Sequence, residues 1–280
     1  MHLMMIVISL SLAWGLRLIP ITSQGTWENR WQRSLFSFLV SPLILVTTAL
    51  AIVFMGAEGS MLGFPASGLS YGLAITFLLI ALILGLRLSD RALKTCRKIS
   101  QYPNQTIDGN SVKFLALDFP YIAQIGFWQP QLVISQGLID ILEAEQLKAV
   151  LAHEQAHVDY RDTFWFFFLG WLRSVTCWLP KTEILWQELL LLREIRADLH
   201  AAKTVDALVL AESLLMVAQA PGQSSLCFCA TLYSELNSDR LSQRIDALIS
   251  TTNLPNRPNL WSWSWLVIVF LPWLAIPLHS

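Results

Sequence analysis

Residues 147–162 read LKAVLAHEQAHVDYRD, and inside them His153-Glu154-Gln155-Ala156-His157 fits the pattern H-E-x-x-H. The ten residues 143–152 leading into it are mostly strong helix formers, with no Gly or Pro. On a helix, positions i and i+4 share a face, so both imidazoles reach one ion. Glu154 projects about 100° further round the helix. It reaches a water on the ion without becoming a ligand. Two neutral imidazoles leave a zinc ion needing a third ligand and an open position. That makes Glu154 the general base for the attacking water. The plain alternative is a polar helix face whose histidines only form hydrogen bonds. A random arrangement of the same residues yields the pattern in roughly 0.003 of such chains, which weighs against that alternative.

Only 14% of the 280 residues are charged, 54% are hydrophobic, and mean hydropathy is +0.51. Soluble domains carry about 25% charged residues, so the chain reads as an integral membrane protein with a modest polar part. A net charge of −1 offers no basic surface, and no direct nucleic-acid binding is expected. Of the four cysteines, Cys227-Phe-Cys229 lacks the second pair that a metal site would need. The two read as free thiols.

Residues 3–21 form a first apolar run, just long enough as helix for a bilayer core of about 30 Å. Without a basic leader or a small-residue cleavage site, it reads as a retained helix. Residues 35–55 and 69–88 are two clear spans, the first tolerating Pro42. Arg87, Arg91, Lys94, Arg97 and Lys98 then cluster against Asp90. The positive-inside rule puts this end in the cytoplasm. Residues 260–278 form the last span, with several tryptophans as interface anchors, and leave the C-terminus outside. The domains are therefore expected at 1–88 (three membrane helices), 89–259 (the polar catalytic region) and 260–280 (the final span).

Within 89–259, residues 102–110 are turn chemistry, and 112–117, 121–126 and 131–135 are short apolar runs. They predict a small antiparallel sheet ahead of the HEQAH helix. Its role is either to pack that helix or to offer an edge strand to an extended substrate. Residues 163–179 are apolar, yet 182–192 is only about 16 Å as helix, too short to cross back. If the third ligand lies in 188–200, the segment 163–192 is membrane-associated as a re-entrant hairpin or as shallow interfacial helices. A true two-span hairpin is the alternative. In 188–204, Glu194 and Asp198 share a helix face. Glu194 is the candidate third ligand, and Asp198 the candidate acceptor that orients a ligating imidazole. His200 competes with Glu194, and a solvated Arg/Glu helix is the bland alternative. Arg240 and Arg244 lie on one face of an amphipathic helix over 239–249. They form a structural ion pair, meet an acidic group near the site, or stabilise an oxyanion.

The runs PQLVISQGLIDILEAEQLKAVLAHEQAHVDYRD (130–162) and LREIRAD (192–198) resemble the BlaR/MecR-type membrane zinc peptidases. The related HtpX/Ste24-type membrane endopeptidases share much of the pattern. The resemblance covers about residues 87–250, and the order of three spans, catalytic region and one span is also similar. It implies one zinc per chain held by His153, His157 and Glu194, with Glu154 as base and Asp198 in support. Asp162 matches the Arg-Asp pair that often follows the helix in that family. Glu143 stands where the family has a capping Ser, a weaker cap. The penicillin-binding sensor domain of the receptors has no counterpart before Ser280. The expected fold is a mainly α, multi-span membrane protein with a gluzincin-like cytoplasmic region. The expected function is regulatory zinc-dependent proteolysis of cytoplasmic or membrane proteins, a transcriptional repressor being one candidate substrate. Alternatives are a membrane-protein quality-control protease and a non-catalytic receptor or scaffold with a structural metal. The expected location is the cell membrane, in contact with lipid, with the site facing the cytoplasm.

Overall fold

A computed structural model describes residues 2–20, 25–58, 60–61, 64–65, 68–107, 109–220, 230–250 and 260–278. In chain order the elements are α1 (His2–Leu18), α2 (Trp27–Met55), β1 (Ser60–Met61), β2 (Phe64–Pro65) and α3 (Gly68–Ser100). Next come β3 (Asn104–Ile107), β4 (Asn110–Leu115), β5 (Ile122–Ile125), β6 (Gln131–Ser135), α4 (Gln136–Ile141) and α5 (Ala144–Asp159). The chain continues with α6 (Asp162–Val175), α7 (Thr182–Ala201), α8 (Ala207–Gln219), α9 (Ala230–Ile249) and a 3₁₀ helix, Leu260–Leu278. The Cys227/Cys229 reading lies outside the described residues.

Two units form. One comprises residues 1–89, 168–190 and 256–280. In it, α2 and α3 are long and apolar enough to cross a membrane. With 17 residues α1 measures about 26 Å, and Pro20 follows it, excluding Ile19 from the helical region. Pro272 and Pro277 lie inside the 3₁₀ helix. The turn between α6 and α7 packs beside the helix middles, where Leu179 clusters with Ala13 and Leu45. Arg17, 1% exposed, fixes that turn by donating to Thr182 Oγ1 (3.2 Å), Ser41 Oγ (3.3 Å) and the Phe38 carbonyl (3.1 Å). Trp171 Nε1 donates to the Ala81 carbonyl at 2.8 Å.

The other unit comprises residues 90–167 and 191–255. Its sheet has the order β3-β4-β6-β5 and is mixed, because β4 and β6 run parallel. This corrects the antiparallel sheet expected from the sequence. The reason lies in β6: Val133 and Ile134 are both fully buried, one on each face, which makes it a central strand. β5 folds back antiparallel to its outer side and ends the sheet. A fourth strand, β3, occupies part of the segment read as turn. It pairs antiparallel with β4, and Gly109, just before β4, has φ 78°.

Helix α5 lies between the sheet and three helices. Val150 and Leu151 pack with Val112, Ile134 and Leu138 on one side. Ala149 packs with Ala201, Leu210 and Leu248 on the other. Its start is capped by Gln146, whose Oε1 accepts from the Glu143 N–H at 3.0 Å. The Gln at the third helical position thus supplies the cap that Glu143 alone was expected to make weakly.

Candidate metal centre

The helical spacing does what the pattern predicts: His153, Glu154 and His157 all lie on the buried face of α5, each less than 10% exposed. From α7, Glu194 comes up beside them. His153 Nε2 and His157 Nε2 are 3.2 Å apart. Glu194 Oε2 lies 3.3 Å from the first and 3.8 Å from the second.

The far side of each ring meets a carboxylate. His157 Nδ1 and Asp162 Oδ2 are 2.7 Å apart, hydrogen-bonded. His153 Nδ1 lies 2.8 Å from Asp198 Oδ1, in a contact too bent to make a good hydrogen bond. Protons on both Nδ1 atoms leave both Nε2 lone pairs facing each other and a carboxylate oxygen. Three converging acceptors repel unless a cation lies among them. Zinc bound tetrahedrally at 2.0–2.1 Å sets its ligand atoms about 3.3 Å apart. Two of the three separations here, 3.2 and 3.3 Å, match that spacing and the third, 3.8 Å, is half an ångström wider, so the donor set fits the ion with Glu194 drawn slightly closer to His157.

Each carboxylate is itself held. Asp198, fully buried, accepts from Arg244 Nε at 2.7 Å and from its Nη2 at 2.8 Å. Asp162 accepts from Arg196 as well. Glu194 Oε1 accepts from Arg193 Nε (2.9 Å) and Nη2 (2.6 Å), which turns Oε2 toward the histidines. Burial pushes Glu194 up, but Arg193, the two histidines and Arg244 outweigh it and hold the carboxyl well below its usual range. Burial likewise raises Asp198, and the Arg244 charge reverses this to a net lowering. Burial lowers His153, and the Asp198 carboxylate more than offsets it, leaving the metal-free imidazole at about 9. His157 is raised by Asp162 and Glu194 against the same opposing burial. For Glu154, burial dominates and pushes the carboxyl up.

A cavity of about 250 Å³ opens on this group, lined by Glu154, His157, Arg193, Glu194 and the β5 residues Ile122, Ala123 and Gln124. Among the described residues, His153, His157 and Glu194 are brought together as a possible metal-holding group. His200 is not part of it and sits 3.2 Å from Asp159 and from the Tyr160 hydroxyl.

Residues 123–247 match the sequence model of peptidase family M48. No curated protein and no solved structure matches the chain. The M48 match runs from β5 to α9, so it contains every charged residue and both histidines of the centre described above, Arg244 included. M48 enzymes are zinc metallopeptidases, and over this stretch the match supports a metallopeptidase with a gluzincin-like domain.

The sequence gives Asp162 no role beyond its place in the motif, and offers Arg193 and Arg196 only as intrahelical partners on a solvated helix; Arg193 does pair with Glu194, while Arg196 pairs with Asp162 instead. The signal was the Arg161-Asp162 pair itself. Arg161 adopts a left-handed conformation, φ 53°, and this turns the chain so that Asp162, five residues after His157, reaches back to its ring. Arg244 resolves in favour of an ion pair with an acidic group at the site.

Proposed function

We propose that the chain is an integral membrane zinc endopeptidase with its centre facing the cytoplasm. The observation that carries this reading is the convergence of three acceptor atoms beside a buried glutamate in a cavity. His153, His157 and Glu194 would hold one zinc ion. Asp198 and Asp162 would orient the two imidazoles. Zinc, when bound, supplies a Lewis acid for the scissile carbonyl and the attacking water. Glu154 accepts the proton of that water on its carboxylate and passes it to the nitrogen of the departing amine. An extended polypeptide would add as a strand beside β5, which ends the sheet and borders the cavity.

The membrane placement draws on α2 and α3. Leu79, Ile80, Leu82 and Ile83 are exposed along α3, a surface suited to hydrocarbon. The cationic run from Arg87 to Lys98 supports the cytoplasmic side, with the C-terminus outside. The α6–α7 turn beside Ala13 and Leu45 favours a re-entrant hairpin over a crossing. The likeness to BlaR/MecR-type peptidases points to regulatory cleavage, with a transcriptional repressor or a membrane protein as substrate. A metal-bearing scaffold has no use for Glu154 in the cavity.

The test is Glu154→Gln in the full chain reconstituted in nanodiscs. Zinc should remain at about one per chain while cleavage of quenched fluorescent peptides falls by about 10²–10⁴-fold. Retained turnover would remove Glu154 from its role. Proteins that accumulate in cells carrying this variant separate the regulatory reading from quality control.

A further inference from the structure

The tip of the β5–β6 hairpin takes no part in the metal centre. Gly126, φ 127°, makes the turn; a Cβ there would lie 3.1 Å from the Gln129 carbonyl. The turn presents Phe127 and Trp128. Trp128 is 79% exposed, the highest value of any large apolar side chain among the described residues. It is not isolated. Its ring lies 5.2 Å from Phe164, which stands 5.3 Å from Trp165, itself 58% exposed. Phe127 packs edge-on against Phe167 at 4.6 Å. The hairpin tip and the first turns of α6 form one aromatic ridge.

No charged residue occurs from 119 to 139, or from 163 to 172. A docking face for another protein commonly carries charged side chains on its rim; the exposed polar side chains beside this tip, Gln129 and Gln131, are uncharged. Indole rings with an apolar body and one N–H suit the headgroup level of a bilayer. Helix α6 continues without a break into the apolar run read as entering the membrane.

We infer that Phe127, Trp128 and Trp165 form an interfacial anchor that inserts into the lipid surface. The anchor fixes β5, which ends at Ile125, at the level of the bilayer. Substrates are then polypeptide segments lying at the membrane surface rather than freely diffusing loops. This rests on the membrane placement proposed above.

The test uses the full chain in nanodiscs of zwitterionic and anionic phospholipid, with the four native cysteines replaced by serine. Nitroxide labels go on Trp128→Cys, on Leu79→Cys within α3, and on Glu145→Cys at the exposed start of α5. Collisional relaxation by oxygen, which concentrates in lipid, is compared with that by a water-soluble nickel chelate. Zinc content equal to the wild type reports an intact fold. The anchor requires positions 79 and 128 to favour oxygen and 145 to favour nickel. A lipid-exposed 79 with a water-exposed 128 overturns the anchor and leaves the membrane reading standing. A water-exposed 79 overturns both. A label at 128 that neither agent reaches is covered by protein, which also overturns the anchor. A second measurement needs no label: Trp128→Phe, in the otherwise native chain, should reduce the tryptophan emission that brominated lipid quenches. An unchanged quenched component overturns the inference.

Discussion

Replacing Asp162 by asparagine keeps the shape of the side chain and removes one acceptor. In the native site Oδ2 serves His157 Nδ1 while Oδ1 serves Arg196. An asparagine has one acceptor and one donor, and it cannot serve both. If its oxygen faces Arg196, its NH₂ faces His157 and forces the ring proton onto Nε2, where the metal must bind. If its oxygen faces His157, its NH₂ opposes the guanidinium. The side chain is only 4% exposed, so water does not repair either arrangement. Losing a hydrogen bond to a charged partner costs about 1.5–3 kcal/mol. Losing the group that orients a metal-bound histidine costs about 10–100-fold in affinity, or about 1.4–2.8 kcal/mol. The two routes agree. A zinc competition titration with a chromogenic chelator on Asp162→Asn should therefore show affinity lower by about 10–100-fold. Asp159→Asn, at an exposed position near the end of the same helix, is the control and should leave it unchanged. Unchanged zinc affinity in Asp162→Asn would refute the tautomer reasoning and the assignment of His157.

Glu194→Ala should lose the metal, and His200→Ala should keep it, both read by metal analysis of the purified chain. The reverse result would exchange their roles. Arg244→Met should destabilise the fold by about 3–5 kcal/mol, because Asp198 then remains buried without its cation; denaturant unfolding measures this. In the metal-free chain, His153 is raised from 6.5 to about 9. A raised histidine contributes stability that is full below pH 6.5 and lost as pH climbs through about 9, so the melting temperature of the metal-free chain should fall in alkaline buffer. Zinc competes with the same proton, so its affinity should rise with pH across that window.

The sequence made the central helix and its three polar residues legible because spacing alone places them on one face. Glu194 and Asp198 were legible for the same reason, since an i, i+4 pair on a helix needs no tertiary knowledge. What stayed hidden depends on turns and pairing. Asp162 reaches His157 only because Arg161 takes a left-handed conformation, which periodicity cannot express. The sheet's strands were visible as apolar runs, but their order was not, although the unbroken Leu132, Val133 and Ile134 marked a central strand. The Asp-Gly dipeptide at 108–109 is a hairpin signal, but it lies inside a run of turn-forming residues that hides β3. Arg244 was seen as one of two candidates, and only the fold selects it.

The pairing of Arg244 with Asp198 also sets an order of events in synthesis. His153, Glu154, His157, Asp162, Glu194 and Asp198 all leave the ribosome before it. The two partners are 46 residues apart, so Asp198 waits roughly 2–9 s for its cation at ordinary translation rates of about 5–20 residues per second. During that interval the deepest carboxylate of the centre has no permanent charge to justify its burial. A growing chain thus carries all its proposed metal ligands while it still lacks the contact that locks them in place.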